Sequence, residues 1–344
     1  MSNVHTKPAR HLFVNEAGWS FGFDPNKYFT TIAAALAAAA ALVPVPSQAS
    51  PVLIYVYPGT YAESPTMGVS GVSLSALPQY RSFLTQIAGT LTISLGAGVD
   101  RDLNHVTVSG FGMQKLRFTG LNPQKLYITD CTVEVGGDHA FLMDNPGVDT
   151  GARKSQVIAQ NLTCRCTAGA FNALKKTAGD LELFHGFIRN TPDTGVAVDI
   201  SGGVPSSGFC TFAEVDVDGK VACSGVAGIV LALSDVSVTG APGVPIITNT
   251  GTGTVVIAGT SVVTGSSPAI SGGLLAALVY SDIIFAGAGT GFAAGTIPVA
   301  LVNFRSFVPA TPGNWAAPAP NTLESAVNRL AAKVFLLNGS VPIP

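Results

Sequence analysis

The sequence predicts an all-β fold, a single-stranded right-handed parallel β-helix with an N-terminal capping helix and a short C-terminal helix. Three observations carry this. A strand–corner–strand motif recurs along most of the chain, its spacing of 21–31 residues suits one coil of a solenoid, and an alanine-rich helix precedes the first strand. Composition agrees. Of 344 residues, 47% are apolar and only 11% charged, against about 25% charged in an average globular domain. So little charge suits a repetitive β architecture or a protein buried in a large assembly.

Residues 1–28 form an N-terminal docking segment rich in aromatics, with Phe13, Trp19, Phe21, Phe23 and Tyr28. A helix is expected from about Thr30 to Val43, where Phe29, Ile32, Leu36 and Val43 form an apolar stripe and Pro44 ends it. Pro51 to Tyr61 then reads as a buried strand followed by a Pro58-Gly59 turn.

Beyond it the repeat begins. Asn104, Asp130, Asn161, His185, Glu214, Asp235, Gly259, Asp282 and Asn303 each open a short run of alternating β-branched or apolar residues. A unit of strands this short cannot enclose a core, so neighbouring units must stack. Leucine-rich repeats and propeller blades are excluded by the missing Leu pattern and by the period. Asn and Asp suit the corners because they tolerate left-handed backbone.

Thr31-Ile-Ala-Ala-Ala-Leu36 followed by Ile54-Tyr-Val-Tyr-Pro-Gly-Thr-Tyr-Ala-Glu63 resembles the opening of pectin-lyase-like right-handed β-helix proteins. The resemblance implies that the helix caps the open N-terminal end of the solenoid, and with the repeat it covers about residues 30–307. Right-handedness comes from the resemblance and from the rule for parallel crossovers. The capped solenoid is placed at 29–308.

A Pro-rich linker, 309–320, leads to a C-terminal helix and tail, 321–344. Asn321-Thr-Leu-Glu324 is a capping box, and Leu323, Val327, Leu330, Val334 and Leu337 follow heptad spacing. Such a seam packs either on its own solenoid or between chains, most readily three.

The residues offer little chemistry. Asp216-x-Asp218 is an outward carboxylate pair on a strand whose Val215 and Val217 point inward, but Gly219 marks a strand end. His185-Gly186 with Arg189 resembles a polygalacturonase-like arrangement without its supporting Asp-Asp and Arg-x-Lys elements. The methylesterase branch would need a Gln-Asp pair and a second Asp-bearing strand, which are missing, and Asp138-His139 and Asp144-Asn145 sit in a loop insertion. Five cysteines (131, 164, 166, 210, 223) form no CxxC pair and read as small buried residues of a protein made in a reducing cytoplasm. No catalytic residue, metal site or cofactor is expected.

A net charge of −2 leaves no electrostatic footprint for nucleic acid, and the apolar run Ile32–Val43 is too short to cross a bilayer. No export signal is read in the first 28 residues. The layout resembles virion proteins of tailed bacteriophages. It implies a homotrimeric capsid decoration (cement) protein or a tail spike or fibre component, made in the host cytoplasm, with itself and major capsid or tail proteins as partners. The assembly contacts would come from Phe13, Trp19, Phe21 and Phe23 and from the C-terminal seam. A polysaccharide lyase or hydrolase with an inter-chain site, and a bacterial surface adhesin, are the competing classes.

Overall fold

The computed structural model describes residues 10–18, 24–77, 84–96, 98–192, 195–201, 209–224, 229–240, 247–251, 254–258, 261–264, 270–271, 274–279, 282–285, 297–298 and 301–302. At 229–230, 240, 254 and beyond 255 only the backbone is described. Trp19, Phe21 and Phe23, the linker and the C-terminal heptad residues lie outside these ranges.

The chain is a parallel β-helix. Its strands pair in parallel, and the registers sort them into three sheets. The first runs through Val52–Val56, Val72–Ala76, His105–Ser109, Lys125–Thr129 and Gln156–Gln160 to the first half of Asp180–Asn190 and of Cys210–Asp218, then Ile229–Ser234. The second holds Thr132–Val135, Thr163–Cys166, the second halves of the two long strands, Ser237–Gly240, Ser261–Thr264 and Asp282–Phe285. The third holds Phe141–Met143, Leu174–Lys176, Val196–Ile200, Lys220–Cys223, Ile247–Asn249 and Ile270–Ser271.

Alternation along each strand puts every second side chain inside, and register stacks like on like. Ile54, Leu74, Val108, Ile128, Ala159, Leu183, Phe212 and Leu233 form one inner column of the first sheet. Met113, Val133, Cys164, Ile188, Val217 and Val238 do so in the second, and Leu91, Leu116, Phe141, Leu174, Val198, Val221 and Ile247 in the third. All are buried, and burying each such aliphatic or aromatic contributes about 1.5–3 kcal/mol. All five cysteines are free and buried, as expected. Burial pushes up the thiols of Cys131, Cys164, Cys210 and Cys223, to about 12 for Cys131 and Cys223.

The corner between first and second sheets is one residue in left-handed conformation followed by one inward residue. Asp130 (φ 54°), Asn161 (φ 53°), His185 (φ 51°), Glu214 (φ 55°) and Asp235 (φ 52°) occupy it in consecutive coils, matching five of the expected corners. Two others are corrected. Register places Gly110 (φ 78°), not Asn104, opposite Asp130. Asn104 instead precedes its strand, buried, donating through Nδ2 to the Pro123 carbonyl at 2.8 Å. Asp282 stands opposite Ser261, inside the second sheet and two residues past the corner register. The same Asn/Asp preference for irregular backbone and strand starts made these positions look equivalent. Gly259 and Asn303 are outside the described residues.

The helix spans Ile32–Ala40, shorter than expected, and Val43 lies beyond it, 92% exposed. Ile32, Ala35, Leu36 and Ala39 join the core and pack on the first strands. Thr31 caps its N-terminus, accepting from the Ala34 amide at 3.2 Å. Glu63, at the end of the Pro-Gly-Thr-Tyr-Ala-Glu run, completes the cap. Its carboxylate accepts from the Ile32 and Ala33 amides at 2.7 and 2.9 Å, a favourable place for negative charge.

Two predictions follow from these features. Glu63→Ala should lower stability by about 1–2 kcal/mol, read as a lower urea midpoint. His185→Val should cost about 1–2 kcal/mol, because a β-branched residue resists left-handed backbone, whereas His185→Asn should stay near wild type.

Candidate functional site

Outward side chains on a solenoid repeat at the rung spacing, so they meet rung to rung before they meet a ligand. The corner column shows this. Asn161 donates to Asp130 at 2.8 Å, and His185 Nδ1 stands 2.9 Å from a Glu214 carboxylate oxygen, both residues more than half exposed. The corner backbone is tied as well, Asp130 N–H to the Gln160 carbonyl and Asn161 N–H to that of Phe184, each at 3.0 Å. His185 is thus a turn residue paired along the axis.

The outer face of the second sheet carries a polar groove of about 600 Å³. Thr60, Gln86, Gln114, Thr132, Thr163, Glu134 and Arg165 line it. Gly112 opposes Gln86, and a Cβ there would sit 2.1 Å from Gln86 Nε2, so glycine lets that amide lie across the floor. Glu134 is the one carboxylate among the described lining residues and faces Arg165 at 3.6 Å. Arg165 also lies over the Phe187 ring at 5.7 Å. Further along the same register row, Arg189 pairs with Asp218 at 3.2 Å. The Asp216-x-Asp218 pair therefore splits: Asp218 holds an arginine of the preceding rung and Asp216 is exposed opposite Phe187 and Ser237. Two-carboxylate glycoside hydrolysis needs both carboxylates flanking one bond, and the described lining of this groove offers one, paired with Arg165.

The third sheet repeats the pattern, with Lys175–Asp199 at 3.6 Å and Arg117–Asp144 at 2.9 Å. Asp138 pairs with Lys115, and His139 Nδ1 accepts from the Asn172 amide at 3.0 Å while its ring meets Phe171 edge-on. Burial pushes the His139 pKa down, which favours the ring nitrogen that accepts from the Asn172 amide. Asn145, fully buried, donates to the Thr119 carbonyl and accepts from the Gly147 amide and Ser155 hydroxyl. These loop residues fix loops.

Sequence reasoning missed two clusters. The loops at 98–104 and 147–154 meet through Arg153, which contacts Asp149 at 2.8 Å, Asp100 at 3.0 Å and Asp102, while Lys125 reaches Asp102 at 3.2 Å. Asp100 and Asp102 lie 53 and 51 residues from Arg153 in sequence, which no local motif reveals. Inside the third sheet, Lys176 takes the inward place of Met143 and Ile200, 1% exposed. Burial pushes its pKa down, and buried Cys210, Asp180 and Cys223 lie close enough to oppose that. Among the described residues no group of three His, Cys, Asp or Glu is placed to hold a metal ion.

Of the expected assembly residues only Phe13 is described. It stacks on Tyr28 (5.1 Å) and Tyr55 (5.7 Å) at the outer face of the first sheet, half-buried.

No protein-family model matches the chain, and no curated protein does. Solved structures of similar shape include ORF18 of Geobacillus virus E2, 12% identical, covering 74% of this chain and 52% of that one, TM-score 0.42. The chain thus spans about half the length of that viral protein. Pectin methylesterase from carrot is 11% identical over 87% of this chain and 90% of its own, TM-score 0.42. The deglycosylated pectin methylesterase of Aspergillus niger is 15% identical over 90% and 97%, TM-score 0.39.

The Arg153 cluster yields a pH prediction. The Arg153 guanidinium holds Asp102 below its ordinary pKa, and for Asp149 the Arg153 backbone amide, its guanidinium and the Gly151 amide together outweigh burial and do the same. Carboxylates depressed in the fold stabilise it above their unfolded pKa, about 4, and lose that contribution as pH falls through the folded value. Arg153→Gln should therefore move the acid-unfolding midpoint, followed by circular dichroism, to higher pH.

Proposed function

We propose that the chain is a non-catalytic structural protein of a tailed-bacteriophage virion. It serves as a homotrimeric capsid decoration protein or as part of a tail spike or fibre, with itself and major capsid or tail proteins as partners. The observation that carries this reading is where the polar side chains go. The corner column, the Glu134–Arg165 and Arg189–Asp218 rungs and the Arg153 cluster all join coil to coil, which is the pattern of a scaffold. Charged residues at 11% and five buried thiols suit a protein made inside a cell and covered in an assembly. The N-terminal aromatics around Phe13 and the heptad seam Leu323, Val327, Leu330, Val334 and Leu337 supply the contacts between chains.

Light scattering on the purified protein, with electron microscopy of phage particles carrying it, tests the reading. A three-chain mass and a regular position on head or tail are expected, and Leu330→Asp should reduce the mass to single chains. A single-chain wild type that releases reducing ends from capsular polysaccharide would overturn the proposal, and a trimeric Leu330→Asp variant would remove the seam from it.

A further inference from the structure

The groove on the outer face of the second sheet is built from two rows of outward side chains. Thr60, Gln86, Gly112, Thr132 and Thr163 follow one another in unbroken register along its floor, and Phe187 is the next residue of the same row. Five strands about 4.8 Å apart give that floor a length of roughly 19 Å along the solenoid axis. The missing side chain at Gly112 leaves the Gln86 amide its room there. Glu134 and Arg165 stand side by side in the second row, and Gln114, two residues past Gly112, lines the groove with them.

We infer that this groove binds a linear, uncharged glycan and holds it without cutting it. The inference goes beyond the assembly role and does not rest on it. The lining selects the ligand class. Hydroxyls of Thr60, Thr132 and Thr163 and the amides of Gln86 and Gln114 both donate and accept hydrogen bonds, which matches a ligand whose hydroxyls do both. Glu134 and Arg165 add planar groups able to take two adjacent hydroxyls at once. Phe187, half-buried, extends the floor with an apolar ring for the C–H side of a sugar. Charge decides against other polymers. The charged side chains among the described lining residues are one carboxylate and one guanidinium, facing each other at 3.6 Å. A polyanion, whether nucleic acid or a uronic acid polymer, meets no net positive charge there. An extended peptide would need a free strand edge for its main chain, and these strands are paired on both sides. The volume, about 600 Å³, is that of a ligand site, and a groove admits an internal stretch of a chain. With a single carboxylate among the described lining residues, the bound chain has no acid–base pair about its linkages.

A glycan array of linear neutral oligosaccharides, built from hexoses and N-acetylhexosamines, tests this on the full-length protein, with oligogalacturonate as the acidic comparison. Retention of a neutral chain in preference to oligogalacturonate is expected. In calorimetric titrations with the retained glycan, Gln114→Ala and Arg165→Ala, both at exposed positions, should each weaken binding about tenfold through lost hydrogen bonds. Lys175→Ala, on the outer face of the third sheet, should leave it unchanged. Failure to bind any neutral glycan overturns the inference. Stronger retention of oligogalacturonate does so as well, and so does neutral binding that neither groove variant weakens. Each of these results leaves the assembly role standing, because chain mass and position on the particle are read separately.

Discussion

Everything in this molecule depends on coil-to-coil register. From Gly110 to Asp235, successive coils turn from the first sheet to the second through one left-handed residue, and the amides of Gly110, Asp130 and Asn161 are bound to the coil that follows. A slip of one residue in any coil would exchange its inward and outward side chains. Valine, isoleucine and leucine columns would then face water, and serine, threonine and arginine the core. The corner column is therefore an alignment device. Asp, Asn, His and Glu accept the strained backbone and bridge to one another outside, while the next residue, Cys131, Leu162 or Val215, points into the core.

Much of this was legible in the sequence. Five corners, the alternating strands they introduce, the inward cysteines at 164 and 166 and the buried strand at 52–56 were read from spacing and residue type. What escaped has physical reasons. Asn104 and Asp282 resemble corner residues, yet a polar residue at a strand start has the same local chemistry, and only pairing with another coil separates the two. The role of Glu63 as helix cap depends on a chain reversal that brings residues 63 and 32 together. Val43 fits the helical stripe by spacing, but the helix ends three residues earlier. Lys176 sits where alternation demands an apolar side chain, and nothing local marks a lysine as buried.

The polar residues that invited a catalytic reading behave alike once register is known. Asp218 holds Arg189, His185 meets Glu214, Asp138 holds Lys115 and Asn145 ties loop backbone. In a repeat architecture each exposed polar residue has a neighbour about one strand spacing away on either side, and pairing along the axis is the first use available to it.

The central claim, that corner residues lock the register of successive coils, is tested most directly by residue-resolved amide hydrogen exchange across 110–235. The account predicts that the amides of Gly110, Asp130 and Asn161 are protected as strongly as the strand interiors they join, because each donates to the next coil. Corner amides that exchange like an unstructured peptide while the flanking strands stay protected would contradict it.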